Sequence, residues 1–432
     1  MTLELRRIPP GPAEKYDPSQ DLLKWMNDQF NRYGSIYRAS IYGTDVYVVS
    51  DPVYADHILR KNWQSYRKGL AIKRIGLLLG NGLMVSEGEF WKSQRQMIQP
   101  AFHDEAIGTL MKIITTANVA LVKKWIHAAQ EKENINITSD ISRMVLKVVL
   151  ISIFGEDYEL VASKFNILSD ESARNLQFAQ TFRPLGKMVI EVANQRRKSK
   201  ILAPDMLGLL MEARDRKNGR VMPDSQLVSE IMTLIVAGHE TTASTLNWAW
   251  YLLSTNSDVE EKLLSELDTL LGSDFPNLSD LPKFIYTRQV IEETLRMYPP
   301  GWLMTRRALK DDQLGDYLVP AGTEVYISPY LIQRHPAFWE SPNEFNPDRF
   351  EPGQSRNRHP MTMLPFSAGP RKCIGEFFAR IEMQIHLIII AKHLRLTCDS
   401  KQLVQLEPGV NLRNKHDFIM TPEIRSLRSS KD

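Results

Sequence analysis

A mainly α-helical protein with small β-sheets, folded as one body, is the architecture this sequence predicts, and three observations predict it. Helical periodicity fills most of the chain from Phe90 to about Leu270, with a long uninterrupted run from Gln226 to Leu253. Alternating, strand-like runs occur near the N-terminus and return late, around Thr323 to Tyr330. No composition shift or low-complexity linker divides the 432 residues, so a single domain over 1–432, β-rich to about residue 65, is expected.

The elements follow in order. Pro9-Pro10-Gly11-Pro12 is a rigid extended entry, and a helix is expected around Asp21 to Tyr33. The alternating runs Ser35–Tyr42 and Val46–Ser50 flank Gly43-Thr44-Asp45 and read as a β-hairpin. Glycines 76, 80, 82 and 88 interrupt the apolar stretch from Leu70 to Gly88, which predicts a hydrophobic loop able to cover a ligand rather than a helix. Helical patterns resume at Phe90–Ile98 and Ala106–Gln130. Between Pro336 and Pro370, a segment rich in Pro, Asn and Phe is too long for an idle loop and is predicted to be a meander pinned by side-chain contacts.

Composition excludes several classes. With 43% hydrophobic and 24% charged residues the chain can bury a sizeable core, and a net charge of +3 gives no support to nucleic acid as a partner. Only two cysteines, Cys373 and Cys398, are present, which suits a reducing, cytoplasmic setting and not a disulfide framework. Met1 to Ile8 carries no signal-peptide core, and the most apolar runs, Ile231–Gly238 and Ile385–Ala391, are too short to span a bilayer, so no membrane anchor is expected.

The strongest chemical signal surrounds Cys373, in Phe366-Ser-Ala-Gly369-Pro-Arg371-Lys-Cys373-Ile-Gly375, directly ahead of an apolar helical run. A thiolate before a helix is stabilised by the helix-terminal N–H groups and by adjacent cations, and glycines on both sides let backbone amides approach the sulfur. That is a metal-ligand environment, whereas Cys398 reads as a buried, inert thiol. A second signal is Ala237-Gly238-His239-Glu240-Thr241-Thr242, midway along the apolar run, where a helical glycine costs roughly 1 kcal/mol. Small Ala237 and Gly238 would let a flat ligand approach, and a threonine hydroxyl can bond a carbonyl one turn back.

The pattern Phe-x-x-Gly-x-Arg-x-Cys-x-Gly, continued by Phe378-Ala379-x-x-Glu382, resembles the haem-ligating loop of the cytochrome P-450 superfamily of haem-thiolate monooxygenases. Other signatures of that family occur in order. The resemblance implies a fold that holds haem b between the long central helix and the cysteine loop, with Cys373 as iron ligand. It implies that Trp91, Arg95, Arg306 (better aligned than Arg307) and Arg371 bind the haem propionates, with Phe366, Gly369 and Gly375 shaping the loop. Ala237 and Gly238 would form the oxygen groove, and Glu240 and Thr241 would deliver protons for O–O cleavage. His239, beside them, is read as a packing residue. Glu293, Arg296 and Arg349 would join in a buried ion and hydrogen-bond network that pins the meander.

The resemblance further implies a soluble, bacterial-type monooxygenase using O2, expected to be a monomer. Without a flavin or iron–sulfur motif in the chain, electrons would come from a separate ferredoxin or flavodoxin with its reductase, drawn to Lys92, Arg371 and Lys372. A hydrophobic substrate, fatty-acyl, terpenoid or similar, is expected to meet Leu70, Ile72, Ile75, Leu77, Leu78, Leu79, Phe178, Phe182, Ile235, Trp302, Leu303, Met304, Phe418 and Ile419, although core packing would produce the same residues. A peroxide-using peroxygenase and a non-catalytic haem sensor are the alternatives. Both would dispense with the acid–alcohol pair Glu240 and Thr241.

Overall fold

The structure, a computed structural model, describes residues 7–102, 107–165, 177–200, 203–272, 275–354 and 358–425. At its centre lies a 32-residue helix, Asp224–Thr255, which at 1.5 Å per residue runs roughly 48 Å. It is apolar on nearly every side and is therefore enclosed by other helices. Ile137–Phe154 packs along one flank, capped by the Asn136 side chain, which accepts from Ser139 N at 3.0 Å. Glu376–His393 packs against both the central helix and Ile107–Glu131.

One buried polar chain ties three of these helices together. Trp250 Nε1 donates to His386 Nε2 at 2.9 Å, so the ring proton sits on Nδ1, which donates to Asn118 Oδ1 at 2.6 Å; Asn118 in turn donates to Ile114 O. Burial pushes the His386 pKa down to about 3, which keeps the imidazole neutral and the network intact.

A five-stranded sheet closes one end of the molecule. Its spatial order is Ile36–Ile41, Thr44–Val49, Glu324–Ile327, Met304–Ala308 and Tyr66–Lys68, with Thr44–Val49 parallel to Glu324–Ile327 and the other pairs antiparallel. Two strands of a sheet assigned to the first 65 residues thus come from beyond residue 300, so the β-rich part is not a segment of sequence. The first hairpin is tighter than its glycine and aspartate suggested: Ile41 pairs with Thr44, leaving Tyr42 and Gly43 as a two-residue turn with φ of 49° and 72°. Two positive φ angles are the I′ geometry that matches the twist of the strands.

The stretch expected to be a glycine-rich loop contains a helix, Leu70–Leu79. Gly80, one of the interrupting glycines, and Gly69, just ahead of the stretch, bound it instead of breaking it. Gly69 precedes the first turn, and Gly80, at φ +74°, donates its N–H to Gly76 O and ends the last. Gly76 is internal, where a Cβ would fall 2.7 Å from Val85 Cγ1, so close packing and not flexibility explains that glycine. Among the described residues no helix is long and apolar enough to cross a membrane.

Candidate functional site

At 100° per residue, the central helix presents two opposed functional faces. Leu234, Ala237, Gly238, Thr241, Thr242 and Thr245 face a cavity of about 340 Å³, and His239, Glu240, Ala243, Ser244 and Asn247 face a second, polar cavity of about 110 Å³. Thr241 Oγ1 donates to Ala237 O at 2.8 Å, leaving its oxygen free to accept from the cavity side. Gly238 is small for two neighbours, since a Cβ there would meet Val149 Cγ2 at 3.2 Å while its other side opens on the cavity. Its neighbour His239 turns away: Nε2 lies 2.9 Å from Ser142 Oγ and 3.0 Å from Ser142 O, and burial holds the ring pKa below its usual value. It is no ligand in the main cavity.

Opposite Ala237 and Gly238, across the same cavity, stands the cysteine loop. Cys373 N donates to Phe366 O at 2.9 Å and Lys372 N to Gly369 O at 3.0 Å, which closes the loop on itself. Gly369 sits at φ +70°, where a Cβ would lie 2.1 Å from Leu59 O, so only glycine fits. Phe366 and Gly375 line the cavity beside Cys373. The thiol is accessible through the cavity yet heavily enclosed by protein, and this enclosure pushes its pKa up; the Gly375 N–H, Arg95 and Lys372 pull the other way.

Arg371, which lines the cavity together with Cys373, belongs to an incomplete cluster of buried cations behind the cavity wall. Arg306 is inward on its strand and its Nη1 donates to Thr305 O, its neighbour's carbonyl; among the described residues no carboxylate bonds it. Desolvation, and then Arg371, lowers its pKa to about 10. Arg371 bonds Tyr66 O at 3.0 Å and Glu87 at 2.5 Å, is flanked by the rings of Trp63 and Trp91, and among the described residues leaves its buried Nε without a partner. Lys68, paired with Arg306 across the sheet, donates to Leu83 O and Ser86 O, and desolvation depresses its pKa to about 7. Buried guanidinium groups short of anions are costly. They suit a ligand carrying carboxylates, and with an apolar cavity and a facing thiol they fit haem, whose propionates would complete the cluster. Arg95 reaches the same loop, donating to Lys372 O at 2.9 Å, whereas Arg307 turns to Glu324 at 3.6 Å.

The Glu293 cluster is of another kind. Arg296 donates to both carboxylate oxygens of Glu293, at 2.6 and 2.8 Å, and to Gln333 O, Pro342 O and Glu344 O. Arg349 joins the same carboxylate at 3.2 Å and donates to Glu340 O and Ser341 O. Both Glu293 and Arg296 are fully buried, and all the carbonyl acceptors but Gln333 O belong to the meander.

Much of the expected substrate wall lies elsewhere. Leu70, Ile72, Ile75, Leu77, Leu78, Leu79, Ile235, Trp302, Leu303, Phe418 and Ile419 do not line the main cavity, whereas Met304 does. Leu77 is 87% exposed on the outside of its helix. Ile235 is one residue, and so 100°, away from the lining residue Leu234. Phe418 stacks on Tyr251 at 5.1 Å, and Trp302 is a buried anchor whose Nε1 donates to Gly409 O at 2.9 Å. The side chains of Phe178 and Phe182 lie outside the described residues. Sequence reasoning missed Leu234, Thr245, Met383, Val410 and Asn411; the first two follow from helical spacing once Ala237 and Thr241 are fixed, but nothing local marks Val410 or Asn411. The cations thought to attract a redox partner are also mostly engaged: Arg371 is turned inward, Lys92 pairs with Glu89 at 2.6 Å, and Lys372 with Glu376 at 2.5 Å.

Comparison with known proteins bears on this arrangement. The family described as cytochrome P-450 matches residues 11–189 and 173–421. Cyclooctatin synthase of Streptomyces melanosporofaciens is 30% identical over 412 residues, covering 90% of this chain and 87% of its own. Carotene epsilon-monooxygenase of Arabidopsis thaliana, chloroplastic, is 27% identical over 92% of this chain and 80% of its own. Among solved structures, the haem domain of cytochrome P450DA superposes with a TM-score of 0.85 at 23% identity, covering 97% of this chain and 98% of that one.

Proposed function

The chain belongs to the cytochrome P-450 family of haem monooxygenases, and from that premise we propose that it inserts one oxygen atom of O2 into a hydrophobic, isoprenoid-type substrate in the cytoplasm, as a single-domain monomer fed with electrons by a separate ferredoxin or flavodoxin and its reductase. The observation that carries this reading is that Cys373 and the Ala237–Gly238–Thr241 face meet across one apolar cavity. Carotene in the name of one relative supports the isoprenoid class, as does the lining by Leu234, Val236, Met304 and Phe378.

Haem b, when bound, supplies the redox-active iron at which O2 is reduced and one of its atoms passed to the substrate. Cys373 would hold that iron as thiolate, with Lys372, Arg95 and the Gly375 N–H favouring the anion. Arg306 and Arg371 would hold one or both propionates, and Trp91 packs against Arg371 to fix it. On the substrate side, Thr241 holds a hydroxyl at the cavity wall with its own proton engaged by Ala237 O, so it accepts a hydrogen bond there and steadies a proton-donating water. Glu240, on the opposite face, is the acid that resupplies protons. A peroxygenase would have no use for that pair.

Reduction under carbon monoxide tests the assignment. Wild type is expected to give the long-wavelength Soret band of a thiolate-ligated haem, and Cys373→Ser to lose it; a serine variant that kept the band would end the reading.

A further inference from the structure

Glu240 does not face the main cavity, which leaves open how its proton crosses the helix. Its Oε2 accepts from Asn411 Nδ2 at 2.9 Å, and Asn411 is a residue that lines both the main cavity and the polar one. Asn411 follows Val410 at the tip of a hairpin formed by Leu406–Pro408 and Leu412–Asn414. That tip is fastened on three sides: Trp302 Nε1 to Gly409 O at 2.9 Å, Leu412 N to Pro300 O at 3.0 Å, and Ser244 Oγ to Leu412 O at 2.7 Å. The Ser244 bond matters most, because it comes from the central helix one turn beyond Glu240 and fixes the tip against the helix that carries the acid. A polar cavity of about 110 Å³, lined by Ser142, His416 and Asn414 among others, has room for several ordered waters with polar partners.

We propose that Asn411 is a positioning residue for proton delivery: it holds Glu240 at the partition between the two cavities, so that water in the polar cavity protonates the acid and the proton passes through the gap beside Asn411 to the Thr241 side. This rests on the reading of Glu240 as the acid. The demand is set by the reaction, in which one substrate molecule, O2, two electrons from the redox partner and two protons yield one oxygenated product and one water. Asn411 itself neither gains nor loses a proton. Its amide N–H carries a fixed partial positive charge to Glu240 and its carbonyl oxygen remains available to water.

The test uses the haem-loaded protein with a surrogate ferredoxin and ferredoxin reductase, without substrate, and measures the share of consumed electrons recovered as hydrogen peroxide instead of water. Glu240→Gln is expected to raise that share several-fold, and Asn411→Ala and Asn411→Asp to raise it similarly, since neither keeps the amide donor. In the Glu240→Gln background the Asn411 substitutions should add nothing. A readout independent of turnover is the infrared absorption of the ferric protein: the carboxyl bands that vanish in Glu240→Gln should shift in both Asn411 variants. Should Asn411→Ala lose haem, Asn411→Asp, of the same size, carries both measurements. Wild-type coupling in the Asn411 variants, additive effects, or unshifted Glu240 bands would overturn the positioning role while leaving Glu240 as the acid. Unchanged coupling in Glu240→Gln would instead remove the acid assignment on which the proposal stands.

Discussion

Two buried charge clusters flank the cysteine loop, and they are built on opposite principles. Around Glu293 the protein itself supplies an acceptor for the guanidinium nitrogens of both arginines: one shared carboxylate and a ring of backbone carbonyls. Around Arg306 it does not, since Lys68, Arg306 and Arg371 crowd together and, among the described residues, Glu87 is the one carboxylate that bonds any of them. A saturated cluster has nothing left to bind and can only hold the chain in place. An unsaturated one is destabilising until something anionic arrives, and so marks where a ligand belongs.

The sharpest way to break the comparison is to open the saturated cluster. Glu293→Gln leaves two buried guanidinium groups facing a neutral amide and should cost about 3–5 kcal/mol, as is usual when one partner of a buried pair is removed. The expected result is little soluble protein and little haem, read from expression and haem content. Normal haem content and thermal stability would show that the meander does not depend on this carboxylate.

The unsaturated cluster should respond in the opposite sense. Arg306→Leu removes a buried cation without orphaning any carboxylate, so haem-free protein should be as stable as wild type or more so, while haem binds more weakly by about 1.5–3 kcal/mol, the loss of a charged hydrogen bond. Haem transfer to apomyoglobin, together with urea unfolding of haem-depleted protein, separates the two effects.

A pH experiment sharpens the contrast further. Lys68 has its pKa depressed from 10.5 to about 7 in the folded protein, so between these values the unfolded chain binds the extra proton and stability rises with pH, by at most about 1.4 kcal/mol per unit. Glu230 has its pKa raised from 4.5 to about 7 by burial, so its contribution is lost as pH rises from 4.5 through 7, a separate window. In haem-depleted protein Lys68→Met should therefore flatten the stability profile above pH 7 and, by removing a cation that holds Glu230 down, carry the acid limb to higher pH. Urea midpoints at pH 5, 7 and 9 decide it.

The smallest effect is expected at Glu382, a buried carboxyl with neither oxygen bonded among the described residues, whose pKa burial pushes well above 4.5. It is uncharged in the folded state, so its stabilising share is present below pH 4.5 and declines as pH climbs toward the raised folded value. Glu382→Gln should be close to neutral at low pH and mildly stabilising at pH 8, by thermal melts. A destabilised glutamine variant at pH 8 would mean that Glu382 is charged and paired when folded.

These clusters also explain what could be read from the sequence. The cysteine loop was legible because its chemistry is local: Phe366, Gly369, Arg371, Cys373 and Gly375 lie within ten residues of one another, and backbone closeness fixes most of their geometry. Helices with a long apolar period were legible for the same reason. Distant contacts were not. The hairpin tip bearing Val410 and Asn411 reaches the central helix through bonds between residues more than 100 apart, and no local pattern records that meeting. Ile235 and Leu234 are equally apolar, and only the rotation of the helix puts Leu234 on the cavity and Ile235 in the core. The helix at Leu70–Leu79 was missed because its bounding glycines resemble breaks until their positions at its two ends are known.

The five-stranded sheet has a consequence for the order in which this chain can be assembled. Thr44–Val49 emerges from the ribosome early, but the strand that covers its outer edge, Glu324–Ile327, lies hundreds of residues downstream. At about 5–20 residues per second, that edge waits on the order of tens of seconds for its partner. During that interval Val46, Val48 and Val49, all buried in the finished sheet, stand beside a row of unpaired backbone N–H and C=O groups. The early hairpin is thus a segment of the nascent protein that needs protection, and slowing translation between residues 50 and 300 should lower the yield of folded protein more than the same delay placed after residue 330.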